Sequence, residues 1–346
     1  MSSQQPHRTR AARTRARLAG TAGALALATA LTGCGSAAAP AGSHDAAGAT
    51  GSAPAQAPSP APSAKPGRVL LPTGPAATLT RVRDTGAGPI MLTTLKGAKS
   101  GVSGKVWVWL PPQYHDPKYA TYGFPVLTLY AGGQSAGYNT WTDNQLPIQK
   151  IDADLAQQGK AHPFILVMPV QNLDSRESQA LECSDIPGQP KIGTWMSQDV
   201  PDFVRANFRT LKGRDGWGLM GASTGAFCSA KLALQHPDVF KAAVPIDGYF
   251  NPDSPLWKGH EAERLANSPG ELVAQGKADV RMLATAGGSN GFETGLVKAW
   301  VKKAAPPLTV DYYEQPGGKH LTADFKKMIP TTLEWLTRNL AGPSGD

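Results

Sequence analysis

From residue 88 onward, short apolar runs alternate with stretches whose apolar residues recur at helical spacing. Apolar runs too short for a helix, bounded by Gly, Pro and Asn, are what a doubly covered strand looks like in sequence. The spacing predicts strands near residues 90–95, 102–110, 125–130, 164–169, 216–220, 241–247, 280–286 and 308–313, and helices over 146–157, 197–208, 224–235, 292–303 and 321–340, with Pro111, Pro163 and Pro237 as breakers. Strands interleaved with helices imply an α/β protein with a mostly parallel central sheet and helices on both faces. The first two strands read as an antiparallel lead-in.

The first 67 residues follow no such pattern. Arg8, Arg10, Arg13, Arg15 and Arg17 precede an apolar stretch of fourteen residues, 18–31, which ends in Leu31-Thr32-Gly33-Cys34. A basic segment, a short apolar segment and small residues make an export signal; a membrane-spanning helix needs about 20 apolar residues. The four residues L-T-G-C resemble the lipobox of bacterial lipoproteins, which implies a signal over 1–33 and a lipid on Cys34. Residues 35–67 hold 12 Ala, 6 Pro, 5 Gly and 5 Ser and no Val, Leu, Ile, Met or aromatic residue. Such a segment has nothing with which to build a core and reads as a tether over 34–67, ahead of a catalytic domain spanning 68–346.

Charge changes the picture less than it first promises. The formal net charge is +8, but the five signal arginines account for much of it and their removal leaves +3, so nucleic acid is not an expected partner. Cys183 and Cys228 remain once Cys34 is assigned. In an exported protein they most simply form one disulfide, worth about 4 kcal/mol in the chain-entropy model. Neither C-x-x-C nor H-E-x-x-H occurs, so neither a metal site nor a cofactor is expected.

The chemistry begins at Gly221-Ala222-Ser223-Thr224-Gly225, a G-x-S-x-G between an expected strand and an expected helix. That is the form of a nucleophile elbow, in which a strained turn presents the serine at a helix N-terminus. A second match, Gly287-Gly288-Ser289-Asn290-Gly291, competes. In the α/β-hydrolase fold the nucleophile is followed by an acid and then a histidine on later strand ends, and only Ser223 leaves room for both. Of seven histidines, His320 follows the last expected strand on a glycine-rich loop and is the expected base. For the acid, Glu293 occupies the loop and helix start after strand 280–286, and Asp247, ending strand 241–247, is the alternative. The oxyanion hole is expected from the N–H groups of Thr224 and of Gly133 in Ala131-Gly132-Gly133-Gln134.

With these pieces on the page, the chain resembles the esterase D-like group of α/β hydrolases and, within it, the secreted mycolyltransferases. The resemblance spans roughly residues 100–340. It rests on V-L-T-L-Y-A-G-G, Tyr138-Asn139-Thr140-Trp141, I-L-V-M-P-V, G-A-S-T-G, Phe292-Glu293 and His320. It implies a Ser-Glu-His triad of Ser223, Glu293 and His320, with Gly133 and Thr224 as oxyanion donors. Gln134 stands where those transferases carry a sugar-binding arginine, and Thr224 where they carry methionine, so the ester chemistry is implied but not the trehalose and mycolate specificity. The expectation is a monomeric serine esterase or acyltransferase forming an acyl-enzyme on a small-molecule or lipid cell-envelope ester, anchored outside the cell membrane through Cys34. A non-catalytic binding module and a serine peptidase of the same fold are the alternatives. Residues 171–195 and 249–278 are long enough to cover the site, and Trp195, Tyr249, Phe250 and Trp257 are either pocket walls or loop anchors.

Overall fold

Two segments, Val126–Tyr130 (β4), apolar but for Thr128, and Ile165–Pro169 (β5), apolar throughout, are buried at every position, as the covered middle of a sheet requires. The computed structural model describes residues 68–133, 136–173 and 180–345. The signal, Cys34, the tether and Gln134 lie outside the described residues. Around β4 and β5 stand Thr80–Asp84 (β1), Pro89–Lys96 (β2), Ser103–Trp109 (β3), Trp217–Ala222 (β6), Ala242–Ile246 (β7), Arg281–Gly287 (β8) and Thr309–Gln315 (β9). They form one nine-stranded sheet in the order β1-β2-β3-β5-β4-β6-β7-β8-β9. From β5 to β9 every neighbouring pair is parallel, while β1, β2 and β3 join antiparallel. This is the mostly parallel α/β sheet expected from the pattern, in the α/β-hydrolase form that the resemblance implied, and the antiparallel lead-in is present with one strand more than expected. The extra strand β1 has the sequence Thr-Arg-Val-Arg-Asp and is mostly exposed. An edge strand carries charge without penalty and so leaves no apolar run to read.

Five helices cover the sheet: Ile148–Gln157 (α1), Val200–Asn207 (α2), Thr224–Gln235 (α3), Gly291–Val301 (α4) and Thr322–Asn339 (α5). The sequence pattern placed four of them within about two residues. The fifth differs, because chain expected as coil coils at Ile192–Thr194 and makes a wider turn at Trp195–Asp199 before α2 begins. α3 is buried at every residue from Gly225 to Leu234, against β6 and β7. Among the described residues no helix is long and apolar enough to cross a membrane.

The long stretch before α2 is fastened to α3 by a Cys183–Cys228 disulfide, with Cα atoms 5.7 Å apart. Beside it Lys231, fully buried, donates from Nζ to the Cys183 carbonyl (2.6 Å) and the Ser184 hydroxyl (2.7 Å). Glu182 accepts from the Asp253 N–H (2.9 Å), the Ser254 N–H (3.2 Å) and Trp257 Nε1 (2.6 Å), which ties the later loop to the same place. Trp195 is wholly buried, its ring beneath the point where Gly104 lets β3 pass, and Trp257 is buried on Glu182. Both tryptophans are therefore anchors; Tyr249 and Phe250 remain as walls of a cavity.

Candidate active site

β6 delivers Ser223 in a conformation that side chains other than glycine rarely adopt, φ 56° and ψ −116°. Three backbone bonds hold it there. The Ser223 N–H donates to the Ile246 carbonyl on the neighbouring strand (2.9 Å), and its own carbonyl accepts from the N–H groups of Ala226 (2.9 Å) and Phe227 (3.2 Å) as α3 begins. The two glycines of the motif are steric necessities. A methyl on Gly221 would strike the Gly225 carbonyl, and one on Gly225 would strike the carbonyl of Tyr130 at the end of β4.

The second G-x-S-x-G has a different occupation. Ser289 spends both its N–H (2.9 Å) and its hydroxyl (2.5 Å) on the carbonyl of Gly318. Methyls on Gly287 or Gly288 would crowd the Gly318 and Gln315 carbonyls, at 2.8 and 2.9 Å. That motif seats the loop carrying His320.

So placed, His320 spans the site. Its Nε2 lies 3.0 Å from Ser223 Oγ and its Nδ1 lies 3.2 Å from Asp247 Oδ2. Asp247 follows β7 directly, at φ 50°, with its N–H bonded to the Thr285 carbonyl (2.9 Å) and its side chain buried. The Asp247 hydrogen bond holds the imidazole above its ordinary range against the opposing effect of burial, and the charges of Asp247 and Glu293 add to it. The phenyl ring of Phe325 meets the imidazole edge to face at 5.1 Å.

The acid on the imidazole is thus Asp247, which corrects the order in which the two carboxylates were expected. Glu293 stands in the first turn of α4, where Asn290 Oδ1 accepts the N–H groups of Phe292 (3.1 Å) and Glu293 (3.4 Å). Its carboxylate lies with Asp247 and His320 in a trio whose nearest polar atoms are all within 4.8 Å, but it forms no hydrogen bond to the ring. The left-handed turn at Asp247 brings the acid beneath His320 one strand earlier than the resemblance implied, and no local pattern announces such a turn at a non-glycine residue.

The loop after β4 crosses the elbow. A Cβ on Gly132 would sit 3.1 Å from the Ala222 carbonyl and 3.5 Å from Ser223 Cβ, and Gly133 turns at φ 67°. The loop that carries Gly133 is thus packed, through Gly132, against the elbow that carries Thr224. Asn139 of Y-N-T-W fixes this loop by donating to the Leu129 and Pro169 carbonyls, both at 2.9 Å, while Trp141 Nε1 donates to the Tyr130 carbonyl at 2.7 Å. Sequence reasoning noted that motif without finding its use. It also missed that the Tyr249 hydroxyl interacts with both the Thr224 and the Glu182 side chains, with its ring stacked on Phe227 at 5.2 Å. Beside Tyr249 a cavity of about 380 Å³ runs between the loop after β7 and α4, with Phe250, Leu296, Ala299 and Trp300 among its walls. A larger cleft of about 520 Å³ lies at the far end of α3 from Ser223, by Lys231 and His236.

A strained serine at a strand-to-helix elbow, a histidine from the last strand and a carboxylate behind it define the serine α/β-hydrolase class. Within that class the chain belongs to the Putative esterase family, which it matches over residues 99–326. A curated relative, an uncharacterised protein of Corynebacterium glutamicum, is 24% identical over 211 residues, covering 57% of this chain and 48% of that protein. The chain thus spans about half the length of the relative. Among solved structures, a ferulic acid esterase superposes with a TM-score of 0.59 at 18% identity, covering 72% of this chain and 98% of its own. An S-formylglutathione hydrolase from Agrobacterium tumefaciens gives 0.59 at 15% identity, covering 75% and 98%. The fluorophosphonate-binding serine hydrolase F of Staphylococcus aureus gives 0.57 at 18% identity, covering 72% and 98%. These likenesses are of fold.

Proposed function

We propose that the protein is an exported serine carboxylic-ester hydrolase or acyltransferase, held at the outer face of the cell membrane by a lipid on Cys34 and working through an acyl-enzyme on Ser223. The observation that carries the chemistry is the 3.0 Å approach of His320 Nε2 to Ser223 Oγ at a strained elbow, with Asp247 on the other ring nitrogen. His320 takes the Ser223 proton as Oγ attacks the ester carbonyl. The Gly133 and Thr224 N–H groups hold the tetrahedral oxyanion, a contribution of about 3 kcal/mol per donor. Protonated His320 then gives its proton to the departing alcohol, leaving the acyl group on Ser223. Water or a second alcohol, deprotonated by the same imidazole, releases it. Asp247 keeps the ring in the tautomer with the proton on Nδ1 throughout. Family membership supports ester bonds as the target, and a small-molecule or lipid cell-envelope ester suits a protein tethered outside the membrane.

The test is covalent labelling with a fluorophosphonate probe together with turnover of p-nitrophenyl esters, in wild type, Ser223→Ala and Ser289→Ala. Labelling and turnover should vanish in Ser223→Ala, the latter by at least about 10³-fold, and survive in Ser289→Ala. Labelling lost only in Ser289→Ala would refute the assignment, and a wild type that neither labels nor turns over any ester would make the fold a binding scaffold.

A further inference from the structure

Helix α4 is apolar on two sides. Thr294, Val297 and Trp300 are buried toward β8, while Phe292, Leu296 and Ala299, at the i, i+4, i+7 spacing of a single stripe, are exposed on the other side. Phe292 is 75% exposed and Leu296 46%. A helix apolar all round belongs in an interior or against a partner, and no described element covers this stripe. It adjoins the site: Phe292 precedes Glu293, whose carboxylate lies within 4.8 Å of Asp247 and His320, and Leu321, 54% exposed, follows His320. On the other flank of the elbow Tyr138 and Leu173 are exposed on the loops after β4 and β5, which are joined by the Gly137 N–H and the Asn172 carbonyl (3.1 Å). Five of the eight large apolar side chains exposed among the described residues thus sit on segments leaving the sheet edge that carries Ser223. Scattered exposed apolar groups are ordinary, whereas a gathering of them marks a contact surface.

Charge decides what this face fits. Residues 291–303 and 319–327, which carry Phe292, Leu296 and Leu321, hold six lysines and two acids. Lys298 pairs with Glu314 (2.7 Å) and Lys327 with Asp324 (2.6 Å), but Lys302, Lys303, Lys319 and Lys326 are exposed and form no ion pair among the described residues. Lys303 stands one further turn along the stripe of Phe292, Leu296 and Ala299. A second copy of the chain docked face to face would set these lysines against each other. An anionic lipid surface accepts both kinds of group, the aromatic and leucine side chains at its acyl boundary and the ammonium groups at its phosphates.

We propose that α4 and Leu321 form a docking face for an anionic lipid bilayer, with Phe292, Leu296 and Leu321 entering the acyl boundary and the four unpaired lysines meeting headgroup phosphates. The Ser223 site then opens onto the bilayer, and esters held in that layer are its substrates. The inference rests on the serine-hydrolase reading above and deepens it. It is also distinct from the proposed lipid on Cys34: the lipid keeps the chain at a membrane, whereas the face sets which side of the domain meets it.

The experiment uses the full-length protein, so that whatever the N-terminus contributes is common to every variant, and phosphatidylglycerol vesicles with brominated acyl chains. Phe292→Trp places an indole on the face, and Val82→Trp places one on β1 at the other end of the sheet. The fluorescence that Phe292→Trp adds to wild type should be quenched by these vesicles and that of Val82→Trp should not. Phosphatidylcholine in place of phosphatidylglycerol, or Lys302→Glu with Lys303→Glu, should weaken the quenching. In Phe292→Ser with Leu296→Ser, turnover of a long-chain p-nitrophenyl ester dissolved in the vesicles should fall about tenfold, while that of a water-soluble p-nitrophenyl ester stays within about twofold. Equal quenching at positions 292 and 82, quenching indifferent to lipid charge, or a fall shared by both esters would overturn the proposal. So would a dimer seen in sedimentation and lost in the double serine variant, with no quenching, which would assign the face to a second copy. A wild type that turns over neither ester, with Phe292→Trp still quenched, would instead defeat the serine-hydrolase reading and leave the docking face in place, so the two failures are distinguishable.

Discussion

At Ser223 strain and function meet in one residue. A left-handed conformation at a serine persists only where its surroundings over-determine it, and here a neighbouring strand, a helix start and two glycines do so. Gly225 carries the most severe constraint, because a methyl there would meet the backbone of β4 rather than a side chain able to move. Gly225→Ala should therefore destabilise the protein by about 3 kcal/mol or more and abolish fluorophosphonate labelling. Gly295 on α4 is exposed, with nothing near its missing Cβ, and Gly295→Ala should stabilise by about 0.5–1 kcal/mol. Urea unfolding of the two variants checks the contrast; equal effects would mean that the close approach at Gly225 does not matter.

The element scale is governed by α3, which no single pattern explains. Its N-terminus presents the Thr224 amide, while its buried flank carries Cys228 and Lys231 and so fastens the stretch before α2. Burial pushes the Lys231 ammonium down to about 7 and the Glu182 carboxyl up to about 7, so the interior next to the disulfide disfavours the charged form of both groups. The bridge spans 45 positions of chain, and reducing it, or replacing both cysteines by alanine, should cost about 4 kcal/mol in denaturant unfolding. The unreduced, denatured protein should yield no alkylated Cys183 or Cys228; modification of both would contradict the bond.

Across the whole molecule the parallel strands do one job. β4 ends at the Gly133 loop, β6 at Ser223, β7 at Asp247, β8 at the turn before Glu293 and β9 at the loop of His320, so every candidate group arrives at the same sheet edge. The proposed lipid anchor belongs to this scale too. Full-length protein produced with its signal should partition into the detergent phase and Cys34→Ser should not, both retaining the same ester turnover. Unchanged partitioning of Cys34→Ser would remove the lipid anchor from the proposal.

Much of this was written along the chain. Apolar runs of the right length marked eight of the central sheet's nine strands, the middle ones because a strand covered on both faces has to be largely apolar, and G-x-S-x-G, the glycine loops and the late histidine marked where the chemistry gathers. Edge strand β1 was illegible because exposure asks nothing of its side chains. The choice between Asp247 and Glu293, the division of labour between Ser223 and Ser289, and the use of Y-N-T-W were decided only by tertiary structure. Each turns on distances of a few ångströms between segments far apart in the chain, and local periodicity reports which face of an element is buried but not which groups from different elements meet.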